Sequence, residues 1–369
     1  MMSFSEKLPQ YEIFNYDNFF NHLQNEDIIR AINRDKLSEL DFLTLLSEKA
    51  AFFLEEMARK ARQVTIQNFG RVILLYTPLY LSNHCDNHCI YCTFNTKNSI
   101  ARRKLTPQMV EDEGRAIAEM GLRHILLLTG DSRQKSPFSY IKDSLNILKK
   151  HFSSLGIEVY PLKEGEYREL VDTGLDSLTI YQETYDREIY DDLHIKGPKK
   201  DYLFRLDAPE RACRAGMRAV NIGPLLGLAP WRNDAFLAGL HASYLQCKYL
   251  DVEISMSLPR LQPFAGSFES SHIVSDRELV QMILALRLFM PRAGITVSTR
   301  ERAYLRDNLV GLGVTKMSAA SSTVVGGHTH FEGEGQFEIS DKRSVKQIKE
   351  MLLSKGYQPV MKDWQPLAG

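Results

Sequence analysis

The chain has 369 residues, of which 44% are hydrophobic and 25% charged, a composition typical of a globular protein with ample apolar material for a core. Lysine plus arginine and aspartate plus glutamate balance at 46 each, so net charge gives no support to nucleic acid or acidic lipid as a partner. The first residues lack the basic flank and apolar core of a secretory signal, and no run approaches the roughly eighteen apolar residues of a membrane span. We therefore expect a cytoplasmic protein that binds neither nucleic acid nor membrane.

Residues 1–70 are predicted to form an N-terminal helical extension without a core of its own. Ser47 is a candidate N-cap of its longest helix, and Gly70 is a candidate end. The apolar residues of that helix recur at three- and four-residue spacing, at Leu54, Met57, Ala58 and Ala61. The segments "NEDIIRAIN" and "SELDFLTLL" predict two shorter helices before it.

From residue 71 the chain alternates between short apolar runs and stretches of helical periodicity, which indicates a parallel sheet covered by helices. The eight runs span 71–80, 124–131, 157–162, 177–184, 219–226, 251–258, 294–300 and 314–321. Eight such units over residues 71–322 predict an α/β fold, a closed (βα)8 barrel of the TIM type, whose typical length is about 250 residues. A doubly wound open sheet is the alternative, and counting strands does not exclude it.

The barrel prediction places the active site at the C-terminal ends of the strands, where this architecture carries its chemistry. Polar or small residues at those ends are Tyr80, Gly130, Asp131, Glu183, Gly223, Ser257, Arg300 and Ser318. Residues 323–369 are predicted to contain a Gly-rich lid over the barrel mouth, a last helix and a C-terminal tail. His328 and His330 lie in that lid as an H-x-H pair, for which a metal site is a further possibility.

Three of the five cysteines lie in the loop "LSNHCDNHCIYCTF", residues 81–94, with the spacing C-x3-C-x2-C. Thiolates are soft ligands that suit iron–sulfur clusters or zinc. Cys85, Cys89 and Cys92 are one ligand short of a closed tetrahedral site, and the sequence has no second cysteine pair. Either a neighbouring histidine completes a zinc site, in a non-enzymatic interaction module, or the fourth position is left open for a ligand.

The cysteine motif, with Tyr91 before its last cysteine and the first predicted strand ahead of it, resembles that of the radical S-adenosylmethionine (SAM) enzymes. The resemblance implies that the three cysteines bind a [4Fe–4S] cluster whose fourth iron is chelated by the amine and carboxylate of SAM. In that family the reduced cluster cleaves the S–C5′ bond, giving methionine and a 5′-deoxyadenosyl radical. The cofactor carries this chemistry, and the protein positions it and excludes water.

Further segments along the chain resemble the aromatic amino-acid lyases of this superfamily, and among them the tyrosine lyases of thiamine thiazole synthesis. These segments are "PLYLSN", "LTGD", "YQETYD", "SLPRLQP", "STRE" and "QPVMKDW". The resemblance implies a carbon–carbon lyase that splits the Cα–Cβ bond of L-tyrosine into 2-iminoacetate (dehydroglycine) and p-cresol. It also implies thiazole synthase as a protein partner and an electron donor such as flavodoxin or ferredoxin.

For the SAM site, the resemblance assigns Gly130 and Asp131 to the methionine amine, although the family more often has Glu where this chain has Asp131. It assigns Glu183 and Arg205 to the ribose or methionyl group, since a planar guanidinium can bind both carboxylate oxygens. An ordinary ion pair between these two residues is the alternative. The backbone of Tyr91 is assigned to adenine.

For the amino-acid substrate, the resemblance assigns Arg300 to the carboxylate and Tyr80 and Ser318 to the amino group. A cation suits the carboxylate, and two neutral polar groups suit an amine that must lose hydrogen. Arg260, in the segment "SLPRLQP", is expected to act at one remove from the substrate or to be structural. The sequence gives no partner for the phenol hydroxyl.

Two related enzymes are alternatives, namely the tryptophan lyases and the tyrosine lyases of [FeFe]-hydrogenase maturation. The second family carries extra cysteines near its C-terminus for a second cluster, and this sequence has none after Cys247. Cys213 and Cys247, each alone in a predicted helix, are expected to be small core residues.

Overall fold

Eight parallel strands close into a barrel in the computed structural model, which describes residues 3–362. The strands are β1 (Val72–Ser82), β2 (His88–Cys89), β3 (His124–Thr129), β4 (Ser154–Glu158), β5 (Ser177–Glu183), β6 (His194–Lys196), β7 (Ala219–Pro224), β8 (Glu253–Ser257), β9 (Gly294–Val297), β10 (Lys316–Ser318) and β11 (Gln358–Val360). The barrel order is β1-β3-β4-β5-β7-β8-β9-β10, and β10 pairs with β1 to close it. The closed barrel is therefore confirmed, and the open sheet is wrong.

The predicted third strand is displaced along the chain. Its residues are 154–158 rather than 157–162, in register with β3 from His124 opposite Ser154 to Leu128 opposite Glu158. The run after Glu158 is buried, but it contains Pro161, which has no N–H to give to a strand ladder. The apolar run therefore continues past the point where the strand ends.

The helices precede the first barrel strand in the chain or alternate with the strands. They are α1 (Phe4–Lys7), α2 (Pro9–Glu12), α3 (Tyr16–His22), α4 (Asn25–Asn33), α5 (Glu39–Leu45), α6 (Leu54–Phe69), α7 (Pro107–Glu119), α8 (Phe138–Leu148), α9 (Glu164–Thr173), α10 (Arg187–Leu193), α11 (Tyr202–Leu206), α12 (Ala208–Arg214), α13 (Trp231–Lys248), α14 (Asp276–Phe289), α15 (Ala303–Leu309) and α16 (Val345–Ser354). Short 3₁₀ helices span Lys49–Phe53 and Pro198–Lys200. No helix among residues 3–362 is long and apolar enough to cross a membrane.

The N-terminal helices share the core of the barrel. The ring of Phe42 on α5 stacks on Phe289 of α14 with 4.4 Å between centroids, and Phe42 is fully buried. Burying such a side chain contributes about 1.5–3 kcal/mol. The helix predicted to end at Gly70 does so, but Ser47 caps the 3₁₀ turn before it, accepting a hydrogen bond from the Ala50 N–H at 3.1 Å.

Two pairings were not predicted, and both involve short strands. β2 pairs antiparallel with β6, which joins Cys89 of the cysteine loop to His194. β11 adds a parallel strand to the start of β1, with Val72 opposite Gln358. In the segment "QPVMKDW", residues 358–360 form β11, whereas its last two residues, and with them the predicted tail from 363 to 369, lie outside the described residues.

Candidate active site

The cysteine loop leaves the C-terminal end of β1 and is held by side chains that donate to its carbonyl groups. Asn95 Nδ2 donates to the Cys89 carbonyl at 3.0 Å, and Asn98 Nδ2 donates to the Cys92 carbonyl at 3.2 Å. Arg102 Nη1 donates to the carbonyls of residues 83 and 94 at 2.8 Å each. These side-chain donors satisfy backbone carbonyl groups that would be paired within a helix or sheet if the loop had regular structure, and they hold the loop in place.

The three thiols lie in a protected environment at the barrel mouth, with Cys89 buried and Cys85 and Cys92 half-buried. Burial raises the pKa of Cys85 to about 12 and raises the pKa of Cys89 and Cys92 above the usual thiol value. Thiols with raised pKa values stay protonated near neutral pH unless a nearby positive charge stabilises the thiolate. A bound metal ion supplies such a charge, so this environment suits metal binding. Among residues 3–362 no group of three or more His, Cys, Asp or Glu side chains is arranged around a single ion. A [4Fe–4S] cluster takes one thiolate for each of three irons, so its ligands need not converge on one point.

The end of β3 is locked against the cysteine loop at Gly130. Its N–H donates to the Ser82 carbonyl at 2.8 Å, and the Asp86 N–H donates to the Asp131 carbonyl at 2.9 Å. A Cβ atom on Gly130 would lie 2.4 Å from the His84 carbonyl oxygen. Only glycine allows the two chain segments to approach this closely.

Replacing Gly130 by alanine is expected to displace the cysteine loop and to lower iron incorporation severalfold, with a loss of about 1–3 kcal/mol in stability from overpacking. The matched control is Gly165→Ala on α9, because a Cβ there meets no atom within 4 Å. Iron content after anaerobic reconstitution and the thermal midpoint measure the two effects. Equal iron content in both variants would contradict a packing role for Gly130.

Asp131 lies beside the cysteine loop and is held by it. Asn87 Nδ2 donates to Asp131 Oδ2 at 2.9 Å, and Asn87 Oδ1 accepts from the Lys199 N–H at 2.8 Å. Arg205 Nη1 is 4.0 Å from the same carboxylate oxygen. Asn87 of the cysteine loop therefore connects that loop to Asp131 and to Lys199.

Glu183 forms the centre of a buried charge cluster at the end of β5. A β-bulge after Tyr181 and a φ of 72° turn Glu183 out of the regular ladder, a strained conformation for a non-glycine residue. Lys199 Nζ is 2.5 Å and Arg205 Nη2 is 3.4 Å from Glu183 Oε1. Burial alone would raise the pKa of Glu183, but these two cations outweigh it and hold that pKa below the usual value. Arg205 Nη1 is buried and has no hydrogen-bond partner among the described residues.

Lys199 is a site residue that the sequence did not indicate. Its side chain is only 13% exposed and its Nζ lies 5.7 Å from the centroid of the Tyr91 ring. A lysine in a polar run such as "KGPKK" is usually exposed to solvent, so the sequence does not indicate that Lys199 is buried. The Tyr91 hydroxyl forms a hydrogen bond with His194 Nε2 at 2.7 Å. The Tyr91 side chain is therefore fixed against β6.

Two of the three predicted substrate residues contact the Gly-rich segment that is predicted to form a lid. The Tyr80 hydroxyl donates to Gln336 Oε1 at 2.7 Å, and the Arg300 guanidinium carbon lies 3.4 Å from the centroid of the Phe337 ring. Ser318 Oγ accepts a hydrogen bond from the Thr299 N–H at 2.9 Å, so one of its lone pairs is already used. The structure thus brings Tyr80 and Arg300 to the same mouth under residues 336–337.

Glu158 is a second site residue that the sequence analysis missed. The register aligns Tyr80 with Leu128 and Leu128 with Glu158, and aligned residues of neighbouring parallel strands face the same side. Glu158 therefore points into the barrel at the level of Tyr80. Burial raises the pKa of Glu158 to about 7, Arg300 opposes the shift, and Glu183 adds to it.

The raised pKa of Glu158 predicts a pH dependence of stability. A carboxyl group that binds its proton more tightly in the folded state loses stability as the pH rises from its unfolded value of about 4.5 through about 7. Relative to Glu158→Gln, the wild type should therefore become less stable across this window, at most by about 1.4 kcal/mol per pH unit for one group. Urea unfolding of the cluster-free proteins at pH 5 and pH 8 measures this difference. A difference that does not change with pH would contradict burial of the ionised carboxylate.

The Gly-rich segment is tied to α7 by Glu113. This fully buried carboxylate accepts from the backbone N–H groups of His328 and Thr329 at 3.1 Å and 2.7 Å. His328 Nε2 lies 3.4 Å from the Pro78 carbonyl oxygen, whereas His330 Nε2 lies 3.5 Å from Asp112. The two histidine rings thus have separate protein partners.

Three other residues singled out in the sequence have assignable places. The Arg260 guanidinium is committed to Glu301 and Asp276 and donates to the Val274 carbonyl at 2.9 Å, which is a structural role. Cys213 is buried, as expected. The expectation for Cys247 is wrong, because it lies near the end of α13 and is exposed to solvent.

Two family models match the chain, and together they cover most of the barrel. The model of the radical SAM superfamily matches residues 79–230, and the model of the Biotin and Thiamin Synthesis associated domain matches residues 257–358. The first match contains the cysteine loop and the charge cluster around Glu183. The second contains Arg300, Ser318 and the lid.

Relatives and solved structures agree with these matches over the full length. The chain is 40% identical to 2-iminoacetate synthase of Escherichia coli (strain K12), a match that covers 100% of this chain and 98% of that one. It also resembles the X-ray structure of the FeFe-hydrogenase maturase HydG from Carboxydothermus hydrogenoformans, with a TM-score of 0.89 and 31% identity over 97% of this chain and 85% of that one. The crystal structure of methylornithine synthase (PylB), with a TM-score of 0.74 and 22% identity over 90% of this chain and 97% of that one, shares the fold.

Proposed function

The chain belongs to the radical SAM superfamily and to the 2-iminoacetate synthases within it, and we propose that the mouth of its barrel binds SAM and L-tyrosine side by side. The enzyme is a carbon–carbon lyase that converts L-tyrosine into 2-iminoacetate and p-cresol, while SAM becomes 5′-deoxyadenosine and methionine. This reaction supplies thiazole formation in thiamine biosynthesis. The observation that carries the residue assignments is the meeting of the cysteine loop, the Glu183 cluster and Arg300 at one end of the barrel.

A [4Fe–4S] cluster, when bound, supplies the electron that cleaves SAM and so provides the radical that removes hydrogen from the tyrosine amine. Cys85, Cys89 and Cys92 would hold this cluster at the barrel mouth, where Cys89 is buried and the other two are half-buried. Because the loop offers three thiolates, a bound cluster would keep one position without a protein thiolate, which the amine and carboxylate of SAM would take.

The charged residues at the ends of β3 and β5 bind SAM. Arg205 Nη1 has an unused N–H in a buried position, and a carboxylate is the group that satisfies such a donor best. It binds the methionyl carboxylate. Asp131 accepts from the methionyl amine, and Glu183 accepts from ribose hydroxyls, with its charge maintained by Lys199.

On the substrate side, Arg300 binds the carboxylate of tyrosine, and its place against the Phe337 ring fixes the plane of the guanidinium. Tyr80 and Ser318 contact the amino group. Glu158 takes the proton that the substrate ammonium must lose before hydrogen abstraction, because a carboxyl group with a pKa of about 7 exchanges a proton near neutral pH.

Two protein partners follow from the chemistry. The product 2-iminoacetate hydrolyses to glyoxylate in water, so direct transfer to thiazole synthase protects it. Flavodoxin or ferredoxin is the electron donor, since the cluster needs a reductant of low potential. We place the enzyme in the cytoplasm, where those reductants operate.

An anaerobic competition assay tests the proposed function. The reconstituted enzyme receives SAM, a reductant and equal amounts of tyrosine and tryptophan, and the products are identified by mass. We expect p-cresol, glyoxylate and 5′-deoxyadenosine, with tryptophan unconsumed.

Three results would contradict the proposal, each in favour of a named alternative. An indolic acid from tryptophan would indicate a tryptophan lyase. Iron well above the four per chain of one [4Fe–4S] cluster would indicate a second cluster and a maturase. Stoichiometric zinc without 5′-deoxyadenosine would indicate an interaction module.

A further inference from the structure

Gln336 of the lid connects the predicted cluster site to the predicted substrate site through one amide group. Its Oε1 accepts from the Tyr80 hydroxyl at 2.7 Å, and its Nε2 is 3.8 Å from Cys92 Sγ, within the range of N–H···S hydrogen bonds. A thiolate only accepts, so Cys92 requires the amide N–H on its side, and the Tyr80 hydroxyl, which can donate or accept, then donates to the amide oxygen.

The backbone around Gln336 is held on both sides. Its N–H donates to the Thr323 carbonyl at 3.1 Å, and Thr323 Oγ1 donates to the Phe337 carbonyl at 2.9 Å. A Cβ at Gly335 would lie 2.0 Å from Thr323 Oγ1, so the lid passes very close to this threonine. The next residue, Phe337, lies against Arg300. The position of the Gln336 backbone is therefore set by the contacts of Thr323 and Phe337 and does not depend on the Gln336 side chain.

Hydrogen bonds to the sulfurs of an iron–sulfur cluster stabilise the reduced state, because that state carries one more negative charge, and so they raise the reduction potential. On its other side the amide oxygen accepts a hydrogen bond from the Tyr80 hydroxyl, whose own oxygen can still accept one from the substrate amine. Hydrogen bonds in such a chain polarise one another. A change at the substrate amine therefore reaches Cys92 through three hydrogen bonds, from the amine to Tyr80, from Tyr80 to Gln336 and from Gln336 to Cys92.

We propose that Gln336 is a positioning residue that raises the reduction potential of the cluster through Cys92 and couples that potential to tyrosine binding through Tyr80. The proposal rests on the proposed function and adds to it a regulation of the same site. Reduction of the cluster is favoured when the substrate is in place, which limits cleavage of SAM in its absence.

The test is an EPR-monitored redox titration of the reconstituted holoenzyme, with and without tyrosine. We compare the wild type with Gln336→Leu, which removes both hydrogen bonds at similar size, and Gln336→Glu, which puts an acceptor beside the sulfur. The matched control is Gln262→Leu, since Gln262 contacts Ser340 of the same C-terminal segment and touches neither the cysteine nor the tyrosine.

We expect a more negative midpoint potential in Gln336→Leu, a larger shift in Gln336→Glu, and a wild-type value in Gln262→Leu. Tyrosine should move the potential of the wild type and of Gln262→Leu but not that of either Gln336 variant, and 5′-deoxyadenosine formed per p-cresol should rise severalfold in both. A wild-type potential in the Gln336 variants, equal shifts in the control, or no effect of tyrosine on the wild type would overturn the proposal. The potential is measured without turnover, so a failure of the lyase assignment would show separately, as cluster reduction without p-cresol.

Discussion

Replacement of any one of Cys85, Cys89 and Cys92 by alanine is expected to abolish both cluster binding and turnover. The backbone of the loop is held at Cys89 and Cys92 by donors to their carbonyl groups and at Cys89 by β2, which opposes the movement of a neighbouring residue into the place of a lost ligand. Iron content should fall from about four per chain to near zero, because a [4Fe–4S] cluster with two protein thiolates is not retained. Iron and sulfide analysis after anaerobic reconstitution measures this, together with 5′-deoxyadenosine formation.

The control for this series is Cys213→Ala. Cys213 is buried on α12, outside the cysteine loop, and its replacement removes one sulfur atom from the core. We expect full iron content, normal turnover and a stability loss of about 1 kcal/mol. A cluster that survives in a loop variant, or one that is lost in Cys213→Ala, would show that the ligand set is different.

The second large effect is expected at Arg300. Arg300→Ala should raise the KM for tyrosine about 10- to 150-fold, because hydrogen bonds to a charged group contribute about 1.5–3 kcal/mol. Some cleavage of SAM that yields no p-cresol should persist, since Asp131, Glu183 and Arg205, the residues proposed to bind SAM, are untouched. Arg300→Lys should recover part of the affinity for tyrosine, but a lysine cannot form the bidentate contact of a guanidinium with a carboxylate.

Arg302→Ala is the matched control, because Arg302 is exposed, lies two positions away and pairs with Asp276 rather than facing the mouth. It should leave the KM for tyrosine within about twofold, as expected for a surface ion pair worth less than about 1 kcal/mol. Steady-state kinetics with p-cresol as the readout separates the two variants. An unchanged tyrosine affinity in Arg300→Ala would refute the assignment of the substrate carboxylate.

The parts of the fold that the sequence predicts are those set by local pattern. Apolar runs spaced by amphipathic helices are enough to indicate a barrel, and the cysteine spacing is contained within eight residues, Cys85 to Cys92. Neither depends on knowing which distant segments meet. The β2–β6 pair does depend on that, since it joins residues about one hundred positions apart, and two- and three-residue strands carry no periodicity.

The site residues that the sequence missed depend on contacts of the same long-range kind. Glu158 was assigned to the start of a strand, and only the register with β3 shows that it ends that strand inside the mouth. Lys199 is drawn into the interior by Glu183, sixteen positions earlier. Gln336 lies in a Gly-rich segment and gains its contact to Cys92 from the path of the lid across the barrel.

The central claim is that three thiolates hold the cluster and leave one iron for SAM. Electron–nuclear double resonance of the reduced enzyme, with SAM labelled by ¹⁵N in the amino group and ¹³C in the carboxylate, tests it most directly. We expect magnetic coupling of both labels to the cluster in the wild type. Absence of coupling in enzyme that carries a full complement of iron, with a fourth protein side chain bound instead, would contradict it.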